Sequence, residues 1–489
     1  MPIKVIPLTQ SVRRGLLCSA LLVSVLGAGC ATMPESVELA KIKDADNYNT
    51  ETSFAGVEHA WPQQQWWQAY QDPQLNQLID EALATAPDLH AASARLQEAA
   101  AMLGISRSAL RPDVSLNASV SEQKLSYNTF IPGSFLPQGW NDYGSVGVNL
   151  SWDLDFWGRN EAAFAAATSE FTARQAELAQ ARLVLTSAVA QAYADLSRLH
   201  ASLDTAEQSL AVRSKTAELF AERQQHGLEN IGTVREAEAR RAVAEGNVLA
   251  LQEQLTLTRH QLAALIGKGP DRGLAISRPT INLTQYVGVP ANLGLELLGR
   301  RPDIVAAKWG VEAQQQRIDS AEAAFYPNVN LSAAIGLDVL GLNNLTDKDS
   351  YMGSVGPAIS LPIFNGGRLR SQLGAAQARY EQAVAAYDGA VTHALQDVAD
   401  VLASQRALTQ RIEVAEQAVT AASEAHRVAQ NRYQGGMANY LQVLSAEDAL
   451  LVSREALTNL HAQSLTLDVQ LNRALGGGYQ TAEPHSSEH

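Results

Sequence analysis

The sequence predicts a mixed α and β membrane protein built from two similar halves. Three observations predict this fold class: an internal repeat, four short segments of alternating polarity, and two very long helical patterns. Strands and helices place their apolar residues at different periods, so spacing alone distinguishes the two kinds of segment. The 489 residues are therefore expected to form one duplicated body rather than several unrelated domains.

The two halves match at nearly constant spacing. The dipeptide Pro-Asp at position 87 returns 215 residues later, and the segment RQQHGLENIGTVREAEA returns 209 residues later as RYQGGMANYLQVLSAED. Phe156 and Arg159 of DFWGRN return as Phe364 and Arg368 of IFNGGRL. Ordered matches of this kind indicate a duplication. The spacing between the copies falls from 215 residues at Pro-Asp to 208 residues at Phe156 and Phe364. This change predicts a shorter loop in the second copy, between residues 327 and 364.

The N-terminus has the pattern of a secretory signal peptide over residues 1–29. A basic start precedes an uncharged apolar stretch, Gly15 to Leu26, that is too short to span a membrane as a helix. Cys30 follows small residues and resembles the lipidated cysteine of bacterial lipoproteins, although Leu26 lies four places before it instead of three. Ala31 favours the outer membrane, because inner-membrane retention is associated with Asp at that position. An ordinary signal peptide with an incidental cysteine is the alternative.

The rest of the chain divides at the repeat boundaries. The predicted segments are a lipid-anchored N-terminal segment (30–60), a first repeat (61–267), a linker or equatorial segment (268–295), a second repeat (296–476) and a polar tail (477–489).

Each repeat contains one predicted β-hairpin, at about residues 113–153 and 328–362. Apolar and polar residues alternate along these strands, which gives each hairpin one apolar and one polar face. Strands of about ten residues cross a bilayer when tilted. Four strands cannot close on themselves, and open edges are not tolerated in lipid, so several chains must join. Two chains would leave little lumen, whereas three chains would supply twelve strands.

Each hairpin is followed by a very long helix without proline. The first, residues 160–225, would be about 100 Å long at 1.5 Å per residue. Leu185, Val189 and Leu196 belong to its heptad seam, as Val391 and Val398 do in the second copy. A turn at 226–232 or 435–439 and a shorter return helix complete each copy. An isolated antiparallel coiled coil is the alternative, but it leaves the strands unexplained.

Several function classes are excluded or disfavoured. A formal net charge of −14 argues against electrostatic nucleic-acid binding. No P-loop, dinucleotide fingerprint or nucleophile elbow occurs, and the ten histidines lack metal-ligand spacing. We therefore expect no enzymatic activity, no catalytic residue, no metal and no cofactor besides a covalent lipid on Cys30.

The residues resemble the outer membrane factors of tripartite efflux pumps, the TolC-like channels, and in particular their NodT/OprM-like lipoprotein branch. The resemblance covers nearly the whole mature chain. Its carriers are WWQAYQDPQLNQLIDEAL, APDLHAASARLQEA, DLDFWGR, GRRPDIVAAKW, AAFYPNVNLSAAIG, PIFNGGRLRSQL and NRYQGGMANYLQVLSAEDALL. It implies a homotrimer with a twelve-stranded outer-membrane β-barrel continuous with a long periplasmic α-helical barrel. It also implies a passive exit duct for drugs or other small toxic compounds, partnered by a periplasmic adaptor and a proton-driven inner-membrane transporter.

The resemblance also assigns roles to the helical-hairpin ends. The residues implied in adaptor contact are Arg223, Gly227, Asn230, Arg432, Gly436 and Asn439. Turn geometry alone is the alternative role for the glycines. The implied periplasmic gate includes Leu441 and, one helical turn on, Ser445, where the family places Asp. The copy-one counterparts are Gly232 and Glu236, of which Glu236 could supply the missing charge.

Other functions remain open at this stage. A channel for type I protein secretion or metal-ion export would share the same pattern, because the transporter and adaptor determine the cargo. A lipid-anchored periplasmic structural coiled coil is the alternative from a different class. Plain coiled-coil packing is the alternative role for Leu441, and an acidic lining would favour cations.

Overall fold

The computed structural model describes residues 38–44, 47–54, 60–281 and 293–480. The predicted signal peptide, Cys30 and the last nine residues of the polar tail lie outside the described residues. The chain divides into two compact units. Among the described residues, the strand unit comprises 38–41, 97–172 and 308–386, and the helical unit comprises those of 42–96, 173–307 and 387–480.

The strand unit contains one antiparallel sheet of four strands in the order β1-β2-β3-β4. Its strands are β1 (Asp113–Gln123), β2 (Asn141–Asp153), β3 (Asn328–Leu340) and β4 (Tyr351–Ser360). The two predicted hairpins therefore exist, and they join through β2 and β3. The loop 341–350 is seven residues shorter than the loop 124–140, as the change in repeat spacing predicts.

The register of the sheet collects the apolar residues on one face. Val114 pairs with Leu150, which pairs with Ala333, which in turn pairs with Val355. Val355 is 79% exposed, and the other large apolar side chains of this face on β1 and β4 are exposed as well. The opposite face carries Ser, Asn and Gly. Such a broad exposed apolar face next to a polar one is typical of a strand surface that meets lipid on one side and water on the other.

The helices repeat the duplication in their lengths. They are α1 (Pro73–Thr85), α2 (Pro87–Ser108), α3 (Arg159–Gln225), α4 (Ile231–Leu265), α5 (Pro270–Leu274), α6 (Leu293–Arg300), α7 (Pro302–Ala323), α8 (Arg368–Gln434) and α9 (Tyr440–Ala474). Both α3 and α8 have 67 residues, and both α4 and α9 have 35. Among the described residues, none of the helices combines the length and the apolarity that crossing a lipid bilayer requires.

Most of the seam residues predicted in the helical unit are buried, whereas others, such as Leu203 and Leu395, are half-buried. Leu185, Val189 and Leu196 of α3 and Val391 and Val398 of α8 are at most 9% exposed. Their regular spacing of three, four and seven residues keeps the apolar stripe on one side of each helix, which is the pattern of knobs-into-holes packing.

One boundary differs from the prediction. Gly232 was expected in the turn between the long helix and its return helix, but it lies in the first turn of α4. The reason is the cap: the Asn230 side chain accepts a hydrogen bond from the Thr233 amide at 3.1 Å, which starts the helix earlier.

The described part of the linker packs on the core of the helical unit. Asp72 caps α1 by accepting hydrogen bonds from the Gln74 and Leu75 amides. The same carboxylate accepts from the Tyr193 hydroxyl and from the Thr280 amide, each at 2.9 Å. One buried side chain therefore joins α1, α3 and the segment that follows α5. Burial disfavours its charge, but these hydrogen bonds outweigh burial and lower the pKa of Asp72.

We predict that Val355→Arg prevents stable membrane assembly. An arginine on the lipid face near the middle of a strand costs about 2–4 kcal/mol. Ser354→Arg is the matched control, because the neighbouring residue places its side chain on the polar face. Heat-modifiable oligomers on gels should be lost for Val355→Arg and retained for Ser354→Arg. Equal assembly of both variants would show that the faces are assigned wrongly.

Candidate functional site

The two helical hairpins end in the same backbone motif. At the first end, Gly227 adopts φ of 72°, and the Leu228 amide donates to the Arg223 carbonyl at 2.8 Å. The Gly227 amide donates to the Gln224 carbonyl at 2.9 Å. This is a Schellman ending, which satisfies the last carbonyls of α3, and a glycine meets its left-handed residue at the least cost.

The second end repeats this geometry 209 residues later. Gly436 has φ of 70°, and the Met437 amide donates to the Arg432 carbonyl at 2.8 Å. Asn439 then caps α9, accepting from the Gln442 amide at 3.3 Å, as Asn230 caps α4. The glycine and asparagine of each end thus have structural roles in the turn. Their contact with an adaptor stays a prediction.

Exposed apolar side chains stand at both ends. Leu228 and Met437, which are equivalent in the repeat, are 66% and 68% exposed. Ile231 is also exposed. No motif in the sequence marks these residues as functional. For Leu228 and Met437 the available signal is their position directly after the left-handed glycine, where an apolar residue normally packs back on its own helix.

An aromatic cluster connects the start of α9 to α3. The Tyr440 ring meets Phe220 edge-on at 4.6 Å and Tyr433 at 4.9 Å between centroids. The Tyr440 hydroxyl lies 2.9 Å from the Thr216 hydroxyl. The Arg223 guanidinium lies 6.0 Å from the Tyr433 ring centroid, within cation–π range. Arg223 therefore links the end of the first hairpin to the end of the second.

A charged cluster lies about two turns further along the helices. Asp448 of α9 accepts hydrogen bonds from Arg213 of α3, at 2.6 Å, and from Arg240 of α4. Arg240 also pairs with Glu236 at 3.1 Å. Sequence reasoning missed this cluster, because charged residues are common along these helices. A signal exists in the repeat: positions equivalent to Arg213, Arg240 and Asp448 all carry alanine in the other copy.

Glu447 is the buried member of this region. It is 5% exposed, and its Oε1 has no hydrogen-bond partner among the described residues. Burial raises the pKa of the Glu447 carboxyl, and Asp448 acts in the same direction. Arg213 and Arg240 oppose this shift. The carboxyl therefore holds its proton more readily than an exposed glutamate does.

The predicted gate residues lie on the exposed side of their helices. Leu441 is 56% exposed, and Ser445 is exposed one turn further along the same face of α9. More than half of the Leu441 surface is therefore left uncovered by the described part of its own chain. Gly232 and Glu236 are also exposed, but Glu236 is paired with Arg240, which offsets its charge. The described residues contain no group of three or more His, Cys, Asp or Glu that could hold a metal ion.

Comparison with protein families decides the identity. The model of the family described as "Outer membrane efflux protein" matches residues 78–268 and 293–477. The chain belongs to the outer membrane efflux protein family. The two matched segments coincide with the two repeats, so each half of this efflux protein carries the family pattern.

Individual relatives agree with the family. The fusaric acid resistance protein FusA of Burkholderia cepacia is 38% identical over 376 residues, which cover 75% of this chain and 70% of FusA. The multidrug resistance outer membrane protein MdtP of Escherichia coli is 32% identical over 97% of this chain and 98% of its own. The solved outer membrane protein VceC of Vibrio cholerae is 47% identical with a TM-score of 0.82, over 86% of this chain and all of VceC.

These comparisons confirm the predicted family, fold class, outer-membrane location and function in efflux. The protein is an outer-membrane efflux channel with a periplasmic helical extension.

We predict that Glu447→Gln stabilises the protein at neutral pH. A carboxyl whose pKa is raised on folding contributes stability that is present below its ordinary value of 4.5 and is lost as the pH rises through the raised pKa. Glutamine removes this loss. Thermal unfolding at pH of about 4 and about 7.5 should show a higher Tm for Glu447→Gln only at the upper pH.

The matched control is Glu455→Gln, an exposed position on the same helix. This variant should follow the wild-type protein at both pH values. If Glu447→Gln lowered the Tm at neutral pH, the carboxylate would be a stabilising charged partner of the arginines, and the assignment would be wrong.

Proposed function

We propose that three copies of this chain form the outer-membrane duct of a tripartite pump that expels drugs or other small toxic compounds. The observation that carries the proposal is an amphipathic sheet whose outer strands, β1 and β4, have no strand partner on their outer edges within the described chain. The resistance functions in the names of FusA and MdtP support the class of cargo.

Closure of the sheet requires other copies. Every unpaired backbone amide or carbonyl in lipid costs several kcal/mol, so an open edge does not persist in a membrane. Two copies give eight strands, and side chains alone fill the interior of an eight-stranded barrel. Three copies give twelve strands and a lumen lined by the Ser and Asn side chains of the polar face. The duplication then places six similar helical hairpins around the axis.

The duct is passive in this proposal. The sequence contains no nucleotide-binding motif, so the free energy for export must come from another component. A proton-driven inner-membrane transporter supplies it, and a periplasmic adaptor connects the transporter to the duct. The exposed apolar side chains Leu228 and Met437 flank the predicted contact residues, namely Arg223, Gly227, Asn230, Arg432, Gly436 and Asn439, and they give the adaptor an apolar surface to bury.

A covalent lipid on Cys30 anchors each copy to the outer membrane in this proposal. The support is the sequence pattern around the cysteine. Two or three acyl chains give stable attachment, because each buried methylene contributes roughly 0.8 kcal/mol.

Purification and bilayer recording test the proposed duct. We expect detergent-solubilised trimers from outer-membrane fractions, stepwise conductance in planar bilayers, and a mature N-terminal peptide whose mass includes acyl chains on Cys30. The gene should restore drug resistance to a strain that lacks its own outer-membrane channel. Stable monomers that stay soluble without detergent after delipidation would contradict the proposal.

The gate is tested at α9. We predict that Leu441→Ala raises the closed-state conductance, because it removes an exposed apolar ring from the entrance. Ser445→Asp should increase selectivity for cations by adding a charged ring. Val452→Ala is the control, since Val452 is an exposed apolar residue on the same helix about three turns after Leu441. Conductance that is unaltered in both gate variants would remove Leu441 and Ser445 from the gate.

A further inference from the structure

A cavity of about 800 Å³ lies in the strand unit at the end of the sheet where the helices begin. It is lined by the ends of β2 and β4, the start of β3, the end of α7 and the first turns of α3 and α8. Both copies of the duplicated motif, DFWGR and IFNGGR, contribute to this cavity, because the arginine of each, Arg159 and Arg368, lines it.

Arginines outnumber carboxylates by four to two in the lining of the cavity, in a protein whose formal net charge is −14. Four arginines line it: Arg159, Arg317, Arg368 and Arg379. Arg317 pairs with Glu170, and Arg368 donates to the neutral Gln372 amide oxygen at 3.0 Å. Across the described residues, no carboxylate forms an ion pair with Arg159, Arg368 or Arg379.

The acidic side chains at the cavity are already engaged. Asp155 accepts hydrogen bonds from the Asn160 and Glu161 amides and so caps α3. Asp153 accepts from the Asn328 side chain at 2.9 Å. The guanidinium groups of Arg159, Arg368 and Arg379 therefore line the cavity without a carboxylate partner among the described residues. This arrangement favours an anionic ligand with several acceptor oxygens.

Aromatic and apolar groups form the rest of the wall. The rings of Trp157 and Tyr326 are stacked with centroids 4.7 Å apart, and Phe156 is exposed beside them. Val329 lines the cavity and pairs with exposed Ile359 at the start of the apolar face of the sheet. A ligand bound to the arginines could thus extend directly along an apolar surface.

We propose that this cavity binds the phosphate headgroup of an anionic phospholipid from the periplasm-facing leaflet of the outer membrane. The proposal rests on the strands crossing that membrane, as the proposed channel requires. Their helix-side ends then lie at headgroup level, where aromatic rings and arginines are the expected partners. The phosphate binds the guanidinium groups, and the acyl chains follow the apolar face past Ile359.

Lipid binding to the purified trimer tests this site, with short-chain phosphatidylglycerol as the probe and native mass spectrometry as the readout. The wild-type protein should bind it at least about tenfold more tightly than the matching diacylglycerol, which lacks the phosphate. Arg368→Gln/Arg379→Gln should weaken binding of phosphatidylglycerol by about tenfold or more.

The control Arg370→Gln/Arg427→Gln removes two positive charges from exposed positions of the same helix outside the cavity. It should bind the lipid like the wild-type protein. Equal binding by both double variants, or equal binding of diacylglycerol, would overturn the proposal. Competition by inorganic phosphate at matched concentration would identify a free-anion site and overturn the lipid assignment.

A second variant and a conductance recording separate failure of this site from failure of assembly. If the double variant does not assemble, Arg379→Lys retains the charge but not the forked donor pair, and it should still lower the affinity for phosphatidylglycerol. Conductance is recorded on the same preparations. Conducting trimers that bind no lipid refute only this site, whereas a protein that forms no pore refutes the channel itself.

Discussion

The structure depends on the requirement that backbone hydrogen bonds be paired wherever water is absent. Within its described residues, each chain satisfies this requirement along three strand junctions and leaves the outer edges of β1 and β4 open. The apolar face of the sheet makes lipid its natural environment, and in lipid those edges can be satisfied only by strands of other copies. Assembly is therefore a condition for membrane insertion rather than a later step. The long helices are brought together with the strands, because each long helix directly follows a β-hairpin in the chain.

Much of the fold could be predicted because it is periodic. Three regularities were visible in the sequence: polar and apolar residues alternate along the strands, heptads recur along the helices, as at Leu185, Val189 and Leu196, and the two copies match at a nearly constant offset. The seven-residue difference between loops was visible as a change in that offset. The turn glycines were also predictable, because a left-handed residue at a hairpin end selects glycine. The start of α4 was predicted wrongly, because the Asn230 cap begins the helix before Gly232.

The contacts of the candidate site were not predictable in the same way. Asp448 meets Arg213 and Arg240 across more than 200 residues of sequence, and nothing in the local pattern marks those three among many charged positions. Their equivalents in the other copy are alanine. The two copies therefore differ at these positions, with the arginines in one hairpin and the carboxylate in the other. The halves thus became complementary, and this surface distinguishes one copy from the other.

The matched helix lengths, 67 and 35 residues in both copies, restrict how such a protein can change. Deleting one residue from α3 turns all later side chains by about 100° and shortens the helix by about 1.5 Å. The seam would then point away from its neighbours. Insertions that survive in evolution must therefore come as whole heptads and arise in both halves together. The loops 124–140 and 341–350 lie outside the helices, so their lengths can vary independently of each other.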